Sequence, residues 1–424
     1  MKRLSALLLI LTLALSGCAS APDQSLPSAT PAIAPSQPST PGPSPTSRPS
    51  PSPTPAPDPI QEQLDELTTA QKVGQLLLAG IEGTQAGEDA AYAVQTVQAG
   101  GVILFGRNVD TCAQVAQLVT DLRAMNGDYI PLLIASDEEG GSVSRMPEEV
   151  HDLPAAYAFG QTGDEGLCRA LGKTLAAQCA ALGINVDFAP VADVWSNPDN
   201  TVIGRRALGS DSADVARLVS QMMEGLAEGG VVPVLKHFPG HGDTNADSHY
   251  DLPVVNKSLD ELEQLELPPF AAAIAAGAPA VMVGHLLMLD LDDTLPASLS
   301  PAVVTDLLRE RMGFDGVVFT DDLTMGAVSN TYGMGEAAVL AVEAGCDVLL
   351  VCHGRDNLQA AYEALLDAVD SGRISQQRLN ESVYRILTLK GEFDLNSAWV
   401  PAPDVDQLNA QLDELLAALD AAEA

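Results

Sequence analysis

The feature that most restricts this chain is the recurrence of short apolar runs between segments of helical pattern. The runs cover residues 75–81, 101–105, 131–135, 184–191, 231–237, 280–285, 316–320 and 347–351. Each is rich in Val, Ile and Leu and continuously apolar, as strands covered on both faces are. Gly100, Gly183, Gly230, Gly277 and Gly345 stand just ahead of five of them, where a glycine would close the preceding helix. Eight strand–helix units in one domain of this length place the chain in the α/β class. They favour a single closed (β/α)8 TIM barrel over an open doubly wound sheet. Polar residues cluster where the runs finish: Asp137, Asp193, Lys236, His237, His285, Asp321 and His353. Barrel active sites lie at the C-terminal ends of the strands, so these residues are expected to converge on one rim.

The segments outside the barrel are of other kinds. Lys2 and Arg3 precede an apolar run from Leu4 to Leu15, followed by Ser16-Gly17-Cys18. The run is too short to span a bilayer and reads as a signal-peptide core. Cys18 directly after Leu-Ser-Gly resembles the bacterial lipobox, in which the thiol takes a lipid. Residues 1–18 are therefore expected to direct export, with Cys18 anchoring the protein outside the cytoplasm on a bacterial membrane. The competing reading is an ordinary signal peptide with an unrelated cysteine. Residues 19–59 hold 14 of the 29 prolines, mixed with Ser, Thr and Ala. Such a stretch cannot bury enough apolar surface to fold, and it predicts a disordered spacer rather than a partner-recognition tract. The barrel is assigned to residues 60–400. Within 401–424, Leu408, Leu412, Leu415, Leu416 and Leu419 form one apolar helical face, expected to pack on the barrel of a monomer rather than to pair two chains.

A formal net charge of −36 excludes nucleic acid as a partner, because too few Lys and Arg are free to neutralise phosphates. Cys112, Cys168, Cys179, Cys346 and Cys352 are scattered, odd in number and in no zinc spacing, which predicts buried apolar residues rather than disulfides.

Four stretches carry chemistry. The first is Lys236-His237-Phe238-Pro239-Gly240-His241-Gly242-Asp243-Thr244, continuing through Asp247-Ser248-His249. Three His and two Asp could ligate a metal, although the end of the first strand lacks the His-x-His pair usual in metal-dependent barrel hydrolases. Alternatively Asp247 fixes the tautomer of His249, giving a proton donor and acceptor near neutral pH. The second is Thr320-Asp321-Asp322-Leu323-Thr324-Met325-Gly326-Ala327. Asp321 is the first polar residue past its apolar strand, where a carboxylate can attack an anomeric carbon, while Asp322 suits a cap. The third is Asp137-Glu138-Glu139-Gly140-Gly141-Ser142-Val143-Ser144-Arg145, with a carboxylate for sugar hydroxyls and a tight turn that returns Arg145 to the pocket. The fourth is Ile203-Gly204-Arg205-Arg206-Ala207-Leu208-Gly209, with one arginine turned inward.

Together these stretches resemble glycoside hydrolase family 3, in its β-N-acetylglucosaminidase branch, over roughly residues 61–395. The resemblance implies a retaining two-step hydrolysis of terminal β-linked N-acetylglucosamine from cell-wall (peptidoglycan) fragments or related glycans. It implies Asp321 as nucleophile, His249 as acid/base paired with Asp247, and Asp137, Arg145, Arg206, Lys236 and His237 as the residues holding the terminal sugar. No metal and no cofactor are implied. Two departures stand out. Glu138 and Ser142 replace the Gln and Arg usual in the third motif, and Ala207-Leu208 replaces the usual Ser-Phe in the fourth. They bear on preference beyond the terminal sugar. Two other readings use the same residues: a phosphorylase, in which phosphate replaces water because a histidine acid/base does not repel an anion, and an inactive carbohydrate-binding lipoprotein.

Overall fold

The computed structural model describes residues 58–244 and 252–424. Within them the apolar runs become eight parallel strands: β1 (Leu77–Gly80), β2 (Gly101–Leu104), β3 (Leu133–Ser136), β4 (Val186–Asp187), β5 (Val232–Phe238), β6 (Ala280–Val283), β7 (Val317–Asp322) and β8 (Val348–Val351). Each pairs with its neighbours in chain order, and β1 pairs with β8 to close the barrel. Helices Cys112–Asn126, Glu165–Ala181, Ser212–Glu228, Leu267–Ala275 and Met334–Ala344 lie between strands, and Arg355–Asp370 and Gln376–Glu392 follow β8. Several begin where an Asp accepts two backbone N–H groups of the first turn, as Asp164 does from Gly166 and Leu167 and Asp211 does from Ala213 and Asp214. Such a cap contributes about 1 kcal/mol. In the barrel interior Phe188, just past β4, meets Phe319 of β7 edge to face at 5.6 Å, although these strands are not neighbours.

Every strand differs from the sequence reading by at least one residue at an end, and three of the differences stand out. Gln75 does not open β1; it ends the helix Thr69–Gln75, where its Oε1 accepts from the buried Lys390 Nζ at 2.8 Å. The fourth strand is two residues long rather than eight, because Pro190 has no N–H to give to a ladder. The chain nonetheless stays beside β5, through bonds from Val234 N to Ala189 O and from Lys236 N to Pro190 O. The seventh strand runs two residues further than expected and carries both Asp321 and Asp322 in extended backbone.

The C-terminal helix Val405–Glu423 buries Leu408, Leu412, Leu415 and Leu419 and contacts helix Glu165–Ala181. Polar contacts tie it down: Asn409 Nδ2 donates to Glu149 O at 2.9 Å, and His151 Nδ1 lies 3.0 Å from Asp413 Oδ1. The leucine stripe is thus covered within the chain. The five cysteines are free and buried. Among the described residues no helix is long and apolar enough to cross a membrane. Cys18 and the proline-rich linker lie outside the described residues.

Candidate active site

Six strand ends meet around a cavity of 380 Å³ at the C-terminal face. Asp137, Arg145, Arg206, Lys236, His237 and Asp321 all line it. A larger groove of 1040 Å³ lies at the opposite end, beside the starts of β6 and β7, but no comparable set of ion-paired side chains converges there. Asp247 and His249 lie outside the described residues.

One wall is a chain of buried charges. Lys236, at the end of β5, donates from Nζ to Asp137 Oδ1 at 2.7 Å and also pairs with Glu139. Arg206, on the turn after β4, grips Glu139 with two bonds of 2.8 Å. Burial opposes charge on Glu139, but Lys236 and Arg206 outweigh it and hold the carboxyl well below the usual range. Burial likewise opposes charge on Lys236, and Asp137 and Glu139 overcome it, so the ammonium persists. Glu139 was not singled out from sequence. Its place two residues after Asp137 gave no hint that it bridges two cations brought from β5 and from the turn after β4.

The turn after β3 explains Arg145. Gly140 and Gly141 adopt φ of +75° and +59°, which only glycine takes without strain, and Glu139 N then bonds Val143 O. The chain doubles back and brings Arg145 to the cavity edge. Glu138 points the other way into the protein. It accepts from Ser144 Oγ at 2.8 Å and from Arg145 N at 2.6 Å, and its own N–H donates to Asp187 Oδ1 at 2.9 Å. Burial pushes the Glu138 carboxyl up to about 7 despite those bonds. Burial also raises Asp187 well above its ordinary value.

Asp193 is the second residue whose part the sequence left unassigned. Fully buried past β4, it accepts from His237 Nδ1 at 2.7 Å and from His241 N at 2.6 Å. A carboxylate can only accept, so Nδ1 of His237 carries a proton, and its Nε2 lies 3.5 Å from Arg206 Nη2. Burial would raise Asp193, but His237 and His241 outweigh it and keep the carboxyl ionised. Gly242 lets the loop after β5 press on the loop after β4, since a Cβ there would lie 1.7 Å from Val194 O.

The two aspartates of β7 have different environments. Asp321 lines the cavity; burial would raise it, but His285, His237, the Asp322 amide and Lys236 together lower it. It is a half-buried carboxylate held ionised, with Oδ1 taking a bond from Asp322 N at 2.8 Å. Asp322 is occupied by the backbone: Oδ1 accepts from Thr324 N and from Cys352 N, each at 3.0 Å, and Oδ2 accepts from Thr324 Oγ1. His285 steadies this strand end, its Nε2 donating to Asp322 O at 2.9 Å while Nδ1 lies 2.7 Å from Ser298 Oγ. The arrangement therefore offers one ionised carboxylate free to react and a polar wall suited to hydroxyls.

Comparison with known proteins agrees with this geometry. Residues 68–389 match the glycosyl hydrolase family 3 N-terminal domain. Beta-hexosaminidase LpqI of Mycobacterium tuberculosis is 38% identical over 335 residues, covering 77% of this chain and 83% of the relative. The structure of a family 3 beta-N-acetylglucosaminidase from a Paenibacillus species is 43% identical with a TM-score of 0.79, covering 82% of this chain and 68% of that one. A structure of beta-glucoside phosphorylase BglX is 26% identical with a TM-score of 0.76, covering 84% and 66%. With the barrel, the strand-end carboxylate and a family match spanning the whole barrel, this chain belongs to glycosyl hydrolase family 3.

Proposed function

We propose that this protein is an exported, lipid-anchored, retaining exo-β-N-acetylglucosaminidase that releases terminal N-acetylglucosamine from peptidoglycan fragments. The observation that carries the reading is Asp321, a half-buried carboxylate held ionised in the cavity that the Asp137–Lys236–Glu139–Arg206 wall borders. In the first step Asp321 attacks the anomeric carbon while the bond to the leaving oxygen breaks and that oxygen takes a proton from His249, with Asp247 steadying the imidazole. In the second step water gives a proton back to His249, attacks the same carbon and frees Asp321. Asp137, Lys236, Arg206, Arg145 and His237 hold the terminal ring, His237 with its imidazole fixed through Nδ1 by Asp193. The substrate class draws its support from the relatives named as hexosaminidases, and the anchor from the Cys18 motif.

The test is turnover of aryl β-N-acetylglucosaminide against aryl β-glucoside, each with and without phosphate. A clear preference for the acetamido sugar, indifferent to phosphate, is expected. Equal or faster glucoside turnover would refute the substrate assignment. The likeness to a phosphorylase gives phosphorolysis a place as second reading, and acceleration by phosphate with formation of a glycosyl phosphate would establish it.

A further inference from the structure

The wall of the cavity formed by the ends of β2 and β8 has no part in the chemistry above, and it is built differently. Phe105 follows β2 and His353 follows β8; β1 lies between these strands, so barrel closure brings the two rings together. They stack with centroids 5.7 Å apart and planes 27° apart, and both line the cavity. The support beneath them is extensive. Arg107 lies 4.7 Å from the Phe105 ring centre, and it donates to Ile81 O at 3.0 Å and to Cys352 O at 2.6 Å, joining the loops after all three strands. Asn108 Oδ1 holds Phe105 N at 2.9 Å, and Asn357 Nδ2 holds His353 O at 2.9 Å.

Exposure places this stack at the mouth. The side chains of Lys236 and Glu139 are 2% and 3% exposed, and that of Asp137 is 21% exposed, whereas that of His353 is 55% exposed. The closest carboxylate oxygen to its ring, Asp322 Oδ2, is 3.9 Å away, beyond a normal hydrogen bond. A half-exposed ring held flat against a phenyl, on a backbone pinned from three loops, is a surface for packing rather than a proton relay. Aromatic faces take the apolar C–H face of a pyranose by area burial and weak electrostatics.

We propose that the Phe105–His353 stack is a leaving-group subsite that binds the pyranose on the far side of the scissile bond. The inference rests on the exo-acting reading given above: the deep polar wall takes the terminal ring, so the next sugar is the one that reaches the mouth. His353 is the exposed plate and Phe105 its backing.

Binding to the Asp321→Asn protein, measured by calorimetry, tests it without turnover. N-Acetylglucosamine reports the deep wall alone, and N,N′-diacetylchitobiose reports both. His353→Ala should weaken the disaccharide about three- to tenfold and leave the monosaccharide within twofold. His353→Phe, which keeps a ring and removes the ring nitrogens, should restore disaccharide binding. Equal weakening of both ligands would overturn the proposal, because the stack would then hold the terminal sugar. No change in either, or no rescue by His353→Phe, would overturn it as well. Failure of N-acetylglucosamine to bind before any change at His353 would instead refute the proposed function.

Discussion

Glu138 offers a test of the site's foundations, because the structure gives it a titration that a glutamine would lack. Its carboxyl is buried, and burial lifts it to about 7 against the bonds from Arg145 N, Ser144 Oγ and Gly140 N. An unfolded glutamate ionises near pH 4.3. As pH rises, the unfolded chain therefore releases this proton first, and the folded protein holds it until about 7. Stability from this residue falls across that window and levels off above it. Integrated between pH 5 and pH 8, the loss is about 2.5 kcal/mol. Glu138→Gln keeps an oxygen for Ser144 and Arg145 and removes the ionisation. For about 370 residues that difference corresponds to roughly 3 °C in thermal midpoint. The measurement is thermal unfolding of both proteins at pH 5 and pH 8. The midpoint of the variant, relative to the parent, should rise by that amount on going to the higher pH. A difference that is the same at both pH values would refute the argument that Glu138 is forced to ionise inside the fold.

Other outcomes follow from the same geometry. Asp321→Asn should abolish turnover, and a 2-fluoro sugar should label Asp321. Asp322→Asn should cost about 1–3 kcal/mol of stability through its backbone partners, read by unfolding, with much less effect on rate. His249→Ala should slow the glycosylation step for a natural sugar leaving group far more than for an activated aryl one, separating the two by a large part of ~10²–10⁴-fold; equal slowing in pre-steady-state kinetics would place the acid elsewhere. Glu139→Gln leaves Lys236 and Arg206 buried together without their shared anion, and should destabilise by about 3–5 kcal/mol, with loss of sugar binding by calorimetry.

Much of the barrel was legible because its strands are buried on both sides and so are written as unbroken apolar runs. The bounds failed for two different reasons. Gln75 looks like the start of a strand until Lys390, remote in sequence, is placed against it, whereas the fourth run is cut short by Pro190 within the run itself, a ladder breaker the sequence does display. The residues lining the cavity were legible as polar groups at strand ends. Glu139 and Asp193 were not assigned, since their importance lies in what they touch: two cations from different strands in one case, an imidazole and an amide in the other. The Phe105–His353 stack depends on β2 and β8 flanking β1, a neighbourhood created only by closure.

The ion-paired wall has a consequence for how the proposed enzyme would run. Asp137, Lys236, Glu139 and Arg206 already satisfy one another, so the cradle for the terminal sugar is set before any sugar arrives and has little ordering left to lose on binding. The same groups face that sugar after the glycosidic bond is cut, and nothing in the wall distinguishes the freed ring from the linked one. Grip of that kind is retained by the product. Departure of the monosaccharide would then compete with chemistry for control of the rate, and whatever draws the free sugar away from the site would become part of the enzyme's throughput.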